Sequence, residues 1–325
     1  MMKLTSYDPM ISYSGRWGRV GETMTATATG SSFSLGFTGE LLTLAFDVTT
    51  NEAPMPHLYI SVDGGARIEA PLAPWLRVSA AGQGEHRVTV LYKGGMEFQH
   101  RWYPPLVGKV SLLSAEAEGF YALPVDQRKT IEMVGDSITE GVLIDADCKI
   151  NPFDQRNRPY QDDVTATYAY LTAEALGLRP LFMGYGAVGV TRSGCGSVPD
   201  VKTAYPWCFH GTPVTYAHPD YVMINHGAND RGASVDAYIS GYRRLLDTVF
   251  EAHPDTRVFA VVAFRTVDPQ ADALGELIRA YRAETGRDVH FIDSRPFSPE
   301  GPLHPLRDGH EIIARGLTEA LRPLL

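Results

Sequence analysis

A chain of 325 residues, 44% hydrophobic and 21% charged, is long enough for two domains with separate cores and is neither disordered nor fibrous in composition. Its 29 Lys and Arg against 38 Asp and Glu leave a net charge of -9 with no basic run, which argues against nucleic acid as a partner. No run of 18 apolar residues offers a membrane span, the first residues form no apolar h-region, and Cys148, Cys195 and Cys208 follow no CxxC spacing. A cytoplasmic protein with no disulfide framework and no zinc site is therefore expected.

Residues 1–124 read as a β-sandwich, jelly-roll-like in its run of short strands, because the hydrophobic period is two and turn signals recur about every ten residues. Phe33, Leu35 and Phe37 alternate with small or polar residues, as do Leu42, Leu44, Phe46 and Val48. Leu58, Ile60 and Val62 end at Asp63-Gly64-Gly65, and Val88, Val90 and Tyr92 end at Lys93-Gly94-Gly95. Trp75, Trp102 and Tyr103 are read as exposed aromatics that either stack on sugar or pack between domains. His86 and His100 lack metal spacing and read as surface or hydrogen-bonded core residues.

After the polar linker 124–129 the rhythm changes, and residues 125–325 read as an α/β domain. Strands are expected over 130–134, 181–185, 221–225, 258–263 and 289–292, and helices over 167–176, 235–251, 271–283 and 309–321. Five strands with intervening helices make a doubly wound parallel sheet. The stretches 145–163 and 191–219 fit neither period and read as long loops walling a site.

Gly135-Asp136-Ser137-Ile138-Thr139-Glu140-Gly141 follows the first of these strands, so Ser137 sits where an open parallel sheet presents groups to ligand. Gly184-Tyr185-Gly186-Ala187-Val188-Gly189 matches the dinucleotide fingerprint GxGxxG but fails its context: no helix opens at Gly189, and no carboxylate lies between Asp200 and Asp220. The third strand leads into Asn225-His226-Gly227-Ala228-Asn229-Asp230, and Leu303-His304-Pro305 precedes the last helix. A serine hydroxyl needs a neighbouring imidazole to attack an ester at neutral pH, and the alkoxide that develops needs fixed N–H donors. No G-x-S-x-G elbow is present, which disfavours a classical α/β-hydrolase.

Gly135-Asp136-Ser137, Gly189-Val190-Thr191, Gly227-Ala228-Asn229-Asp230 and His304-Pro305 together resemble the four blocks of the SGNH, or GDSL-type, hydrolases. The two-domain plan, with Arg128-Lys129 before the first strand and Arg192 after Gly189-Val190-Thr191, is similar more narrowly to carbohydrate esterase family two. The resemblance implies that Ser137 is the nucleophile, His304 the general base, and the N–H groups of Ser137 and Gly189 with the Asn229 amide the oxyanion hole. It also implies a serine esterase acting on acetylated carbohydrate with no metal or organic cofactor; the missing leader adds the expectation of an imported oligosaccharide as substrate. Esterases for other small acyl esters, or a carbohydrate-binding protein whose hydrolase domain has decayed, are the alternatives.

One position departs from the pattern: Gly301 stands where the family usually has an acid three residues before the histidine. Either Glu300 orients His304 from one residue earlier, or a backbone carbonyl does and the protein works with a Ser-His dyad. Asp308 is assigned instead to a capping box with Glu311 for the last helix. Asp136 and Asp230 are expected to hold loops through backbone hydrogen bonds. Arg192, Trp207 and His226 are the candidate substrate contacts.

Overall fold

The computed structural model describes residues 1–146, 158–216 and 218–325. The sandwich is built from two antiparallel six-stranded sheets. One is ordered Gly18–Val20, Thr23–Ala26, Val110–Ala117, Leu41–Phe46, Trp75–Ser79, with Met2–Thr5 also on Val110–Ala117. The other is ordered Gly119–Tyr121, Ser32–Thr38, Glu85–Gly94, His57–Val62, Ile68–Pro71, with Ser12–Ser14 also on Ser32–Thr38. Phe33, Leu35, Phe37, Leu42, Leu44, Phe46, Val88 and Val90 all point into the space between them, as alternation at period two requires.

The second half is a five-stranded parallel sheet ordered Arg179–Gly184, Thr130–Gly135, Tyr221–His226, Arg257–Val262, Val289–Ile292. Its strands are apolar at successive positions because both faces are covered. Ile131, Met133, Tyr221, Met223, Phe259 and Val261 pack under the helices Tyr168–Ala175 and Arg307–Leu321. Val134, Val222, Ile224, Val258 and Ala260 pack on the opposite face, under Val235–Ala252 and Asp268–Thr285. The chain is thus the α/β protein expected, a β-sandwich followed by a doubly wound sheet.

The two halves share core and charge. Trp102 is 2% exposed and packs edge-on against Tyr185, with ring centroids 6.2 Å apart, inside the core of the parallel-sheet half. Of its two readings, packing between domains therefore holds and exposure does not, while Trp75 and Tyr103 are exposed. Arg16 reaches across to Glu132 at 2.7 Å, both fully buried, where Tyr205 and Tyr216 also donate to the Glu132 carboxylate. Glu132 is the one polar side chain of its strand interior, and the guanidinium with two phenols supplies the hydrogen bonds a buried carboxylate needs.

The stretch 191–219 is not a structureless loop: it holds the short helix Val201–Ala204 and the hairpin of Trp207–Phe209 with Thr212–Pro213. Of 145–163, the helix Arg158–Gln161 is described, while residues 147–157 with Cys148 lie outside the described residues. Cys195 and Cys208 are free thiols. Among the described residues no helix is long and apolar enough to cross a membrane.

Candidate active site

The parallel strands deliver their loops to one edge of the sheet, and there the chemistry-bearing side chains meet. Asp136 closes strand Thr130–Gly135 and caps the one-turn helix Ser137–Glu140, its Oδ1 accepting the Ile138 N–H at 3.0 Å. Gly135 is required by that turn, since a Cβ there would lie 2.0 Å from Thr139 Oγ1. Ser137 follows as the first helical residue, where its own N–H has no acceptor within the helix. His304, from the segment before the last helix, brings Nε2 to 2.9 Å from Ser137 Oγ.

Asp230 and Asp136 hold the other two strand-end loops. Asp230 Oδ1 accepts from Thr191 N–H at 2.9 Å and from the Thr191 hydroxyl, and its Oδ2 accepts from Val190 N–H at 3.1 Å. A Cβ on Gly189 would stand 2.5 Å from the same carboxylate, so only glycine lets the two loops approach this closely. Asn229 Nδ2 donates to Asp136 Oδ2 at 3.0 Å and to Val188 O at 3.1 Å. Burial, with the charges of Asp230 and Glu140 nearby and against the Ile138 N–H, pushes the Asp136 carboxyl up to about 7. The Gly189 N–H donates to Arg192 O at 3.1 Å.

The histidine segment is anchored by a fork that sequence reasoning missed. Arg307 donates to both oxygens of Asp145, at 2.5 and 2.6 Å, and to Asp163 at 3.0 Å. This pins the start of helix Arg307–Leu321, and the capping box at Asp308 is corrected accordingly: Leu306 precedes the helix and Asp308 lies in its first turn, accepting from Gly309 N–H. Glu300 is exposed and makes no hydrogen bond to His304; among the described residues no carboxylate hydrogen-bonds the ring. Burial, helped by Arg158 and opposed by Glu140, pulls the imidazole down to about 4.

Beneath the serine and histidine lies a buried charge cluster drawn from both halves. Arg101 of the sandwich donates to Glu140 at 2.5 Å, with 0% and 1% of the two side chains exposed. Arg158 reaches Glu97 at 3.1 Å and Asp162 at 3.5 Å. The sandwich segment also meets the loop after strand Arg179–Gly184, through Arg101 N–H on Gly196 O. Sequence separations of 39 between Arg101 and Glu140 and 61 between Glu97 and Arg158 left no local signal for these contacts.

The remaining candidates disperse. His226 ends strand Tyr221–His226 fully buried, and burial, against Asp230, lowers it to about 4. With no exposed surface, the ring as placed offers a sugar no contact. Arg192 is exposed in the loop after Gly189. Trp207, 37% exposed, lines a recess with Tyr103 and His210.

The sequence model of the GDSL-like Lipase/Acylhydrolase family matches residues 133–312, more than half of the chain. The chain belongs to this family. The matched span runs from the strand before Ser137 through His304, so this GDSL hydrolase carries all four blocks within it. It is 28% identical over 262 residues, 74% of this chain and 68% of the relative, to the acetylxylan esterase / glucomannan deacetylase of Cellvibrio japonicus (strain Ueda107). Its fold is that of a family two carbohydrate esterase from Cellvibrio japonicus, with TM-score 0.81 and 23% identity over 99% of this chain and 97% of that one. A family two carbohydrate esterase from Clostridium thermocellum in complex with cellohexaose matches at TM-score 0.76 and 20% identity, over 97% and 98% of the two chains.

Proposed function

We propose that this GDSL hydrolase is a serine esterase that removes O-acetyl groups from acetylated carbohydrates through an acetyl-enzyme on Ser137. The observation that carries the chemistry is the 2.9 Å contact of His304 Nε2 with Ser137 Oγ. The substrate class is supported by the relative named acetylxylan esterase / glucomannan deacetylase.

In this reading Ser137 Oγ attacks the acetyl carbonyl carbon while its proton passes to His304 Nε2, and the carbonyl electron pair moves onto oxygen. Collapse breaks the bond to the sugar oxygen, which takes the proton back from His304. Water then repeats the sequence on the acetyl-enzyme and releases acetate. The Ser137 N–H is the donor already free for the oxyanion. Gly189 N–H and the Asn229 amide are assigned beside it, each exchanging a backbone carbonyl, Arg192 O or Val188 O, for the oxyanion while Asn229 keeps its bond to Asp136. A full negative charge is a stronger acceptor than the carbonyls it displaces. His304 works without a carboxylate on its ring, and Arg192 and Trp207 are assigned to the sugar.

A base acts only while neutral, so the acid limb of kcat/KM falls near pH 4, well below the ordinary imidazole value of about 6.5. Arg158→Gln removes a positive charge that disfavours the imidazolium and moves the limb to higher pH. A wild-type limb near 6.5, or one unmoved in Arg158→Gln, contradicts the role given to His304 and its neighbour.

Ser137 is only 7% exposed, which suits a small acyl group. Acetylated xylo- and glucomanno-oligosaccharides are therefore expected to release acetate at a kcat/KM at least about tenfold above that for hydrolysis of a long-chain acyl ester, since each buried methylene that fails to fit shifts the ratio. The reverse order, measured by acid release, overturns the assignment to carbohydrate acetates.

A further inference from the structure

The edge of the parallel sheet remote from Ser137 carries a second recess that the esterase chemistry does not use. Strands Thr130–Gly135 and Arg179–Gly184 are parallel and in register, so Thr130 and Arg179 lie about 17 Å from the catalytic edge at roughly 3.3 Å per residue. Between this edge and the sandwich is a cavity of about 190 Å³.

One wall is the outer face of a sandwich sheet. Ser12, Ser14, Ser32, Ser34 and Thr89 line it, and the register sets Ser12 against Ser34, Ser14 against Ser32, and Thr89 against Ser34. Five hydroxyls therefore stand together on one face, where a sheet covered by another domain ordinarily places apolar side chains.

The opposite wall is charged. Arg128 already engages both oxygens of Asp126 and reaches Glu174 at 3.5 Å. Arg179 is only half used: its Nη1 donates to Ser14 Oγ at 3.2 Å, while its Nη2 makes no hydrogen bond among the described residues. Arg87 also lines the cavity, so three guanidiniums face two carboxylates. A guanidinium N–H with no protein acceptor makes a charge-assisted hydrogen bond to a carboxylate, the strongest acceptor a sugar carries.

We propose that this interdomain cavity is a second, non-catalytic carbohydrate site for a uronate, a carboxylate-bearing sugar residue of an oligosaccharide. The carboxylate takes the Nη2 of Arg179, and the ring hydroxyls exchange hydrogen bonds with the row, in which Ser34 and Thr89 already bond each other at 2.8 Å. The cavity has room for one pyranose ring. The site is independent of the esterase reading, because it is tested by binding and not by turnover.

Titration calorimetry on the full chain with D-glucuronate, D-glucose and acetate tests it. D-Glucuronate is expected to bind, with D-glucose and acetate each weaker by roughly tenfold or more. Arg179→Gln weakens D-glucuronate by a similar factor and leaves hydrolysis of a chromogenic acetate unchanged. The pair Ser12→Ala/Ser34→Ala, which trims only exposed-face hydroxyls of the sandwich sheet, weakens it as well and serves if Arg179→Gln does not fold. No binding of D-glucuronate, equal binding of acetate or of D-glucose, or binding undiminished in the folded variants overturns the proposal.

Discussion

His304→Ala and Ser137→Ala each lower kcat for acetate release by about 10⁴–10⁶-fold, and the double variant falls no further than either alone. The two groups form one device: the hydroxyl has no means of losing its proton without the imidazole 2.9 Å away, and the imidazole has nothing to activate without the hydroxyl. Losses that multiply in the double variant show two independent contributions and contradict the dyad. A wild-type protein that releases no acetate at all, while still binding acetylated sugar, supports instead a hydrolase domain that has lost its chemistry.

Arg101→Ala is expected to destabilise the folded protein by about 3–5 kcal/mol, lowering Tm by about 4–7 °C. The guanidinium is the partner that opposes burial of the Glu140 carboxylate, and both side chains are sealed from water. Its removal leaves an uncompensated buried acid one helical turn after the nucleophile, so kcat falls with stability. The paired variant Arg101→Met/Glu140→Met, which removes both charges and keeps apolar volume, recovers most of the lost stability, since replacing a buried ion pair by packed apolar groups is often neutral. Calorimetric melting of the single and paired variants checks this; equal losses in both rule out the charge as the cause.

The parallel sheet was legible because its strands are apolar at successive positions, which only a doubly covered sheet allows, and all five appear within two residues of their expected ends. The sandwich was half legible. Ser32–Thr38 and Glu85–Gly94 alternate cleanly, but Ser12–Ser14, Gly18–Val20 and Thr23–Ala26 are only three or four residues long, too short to show a hydrophobic period. For Trp102 the sequence left sugar stacking and interdomain packing side by side, because period alone does not reveal that a second domain covers the sandwich face. In the site, Ser137 and His304 could be paired from their four-block order. Glu300 could be named from spacing, yet the glycine beside it, Gly301 at φ +126°, turns the segment so that the carboxylate stays exposed. Arg101, Glu97 and Arg158 offered nothing to read, since each is an ordinary surface residue type whose burial follows from how the two halves meet.

The central claim is that acyl transfer passes through Ser137. Acid-quenched turnover of an acetylated oligosaccharide, digested and weighed by mass spectrometry, tests it most directly. The account predicts one added acetyl group on the peptide that carries Ser137, absent in Ser137→Ala. An acetyl group on another residue, or steady acetate release that survives Ser137→Ala, contradicts it.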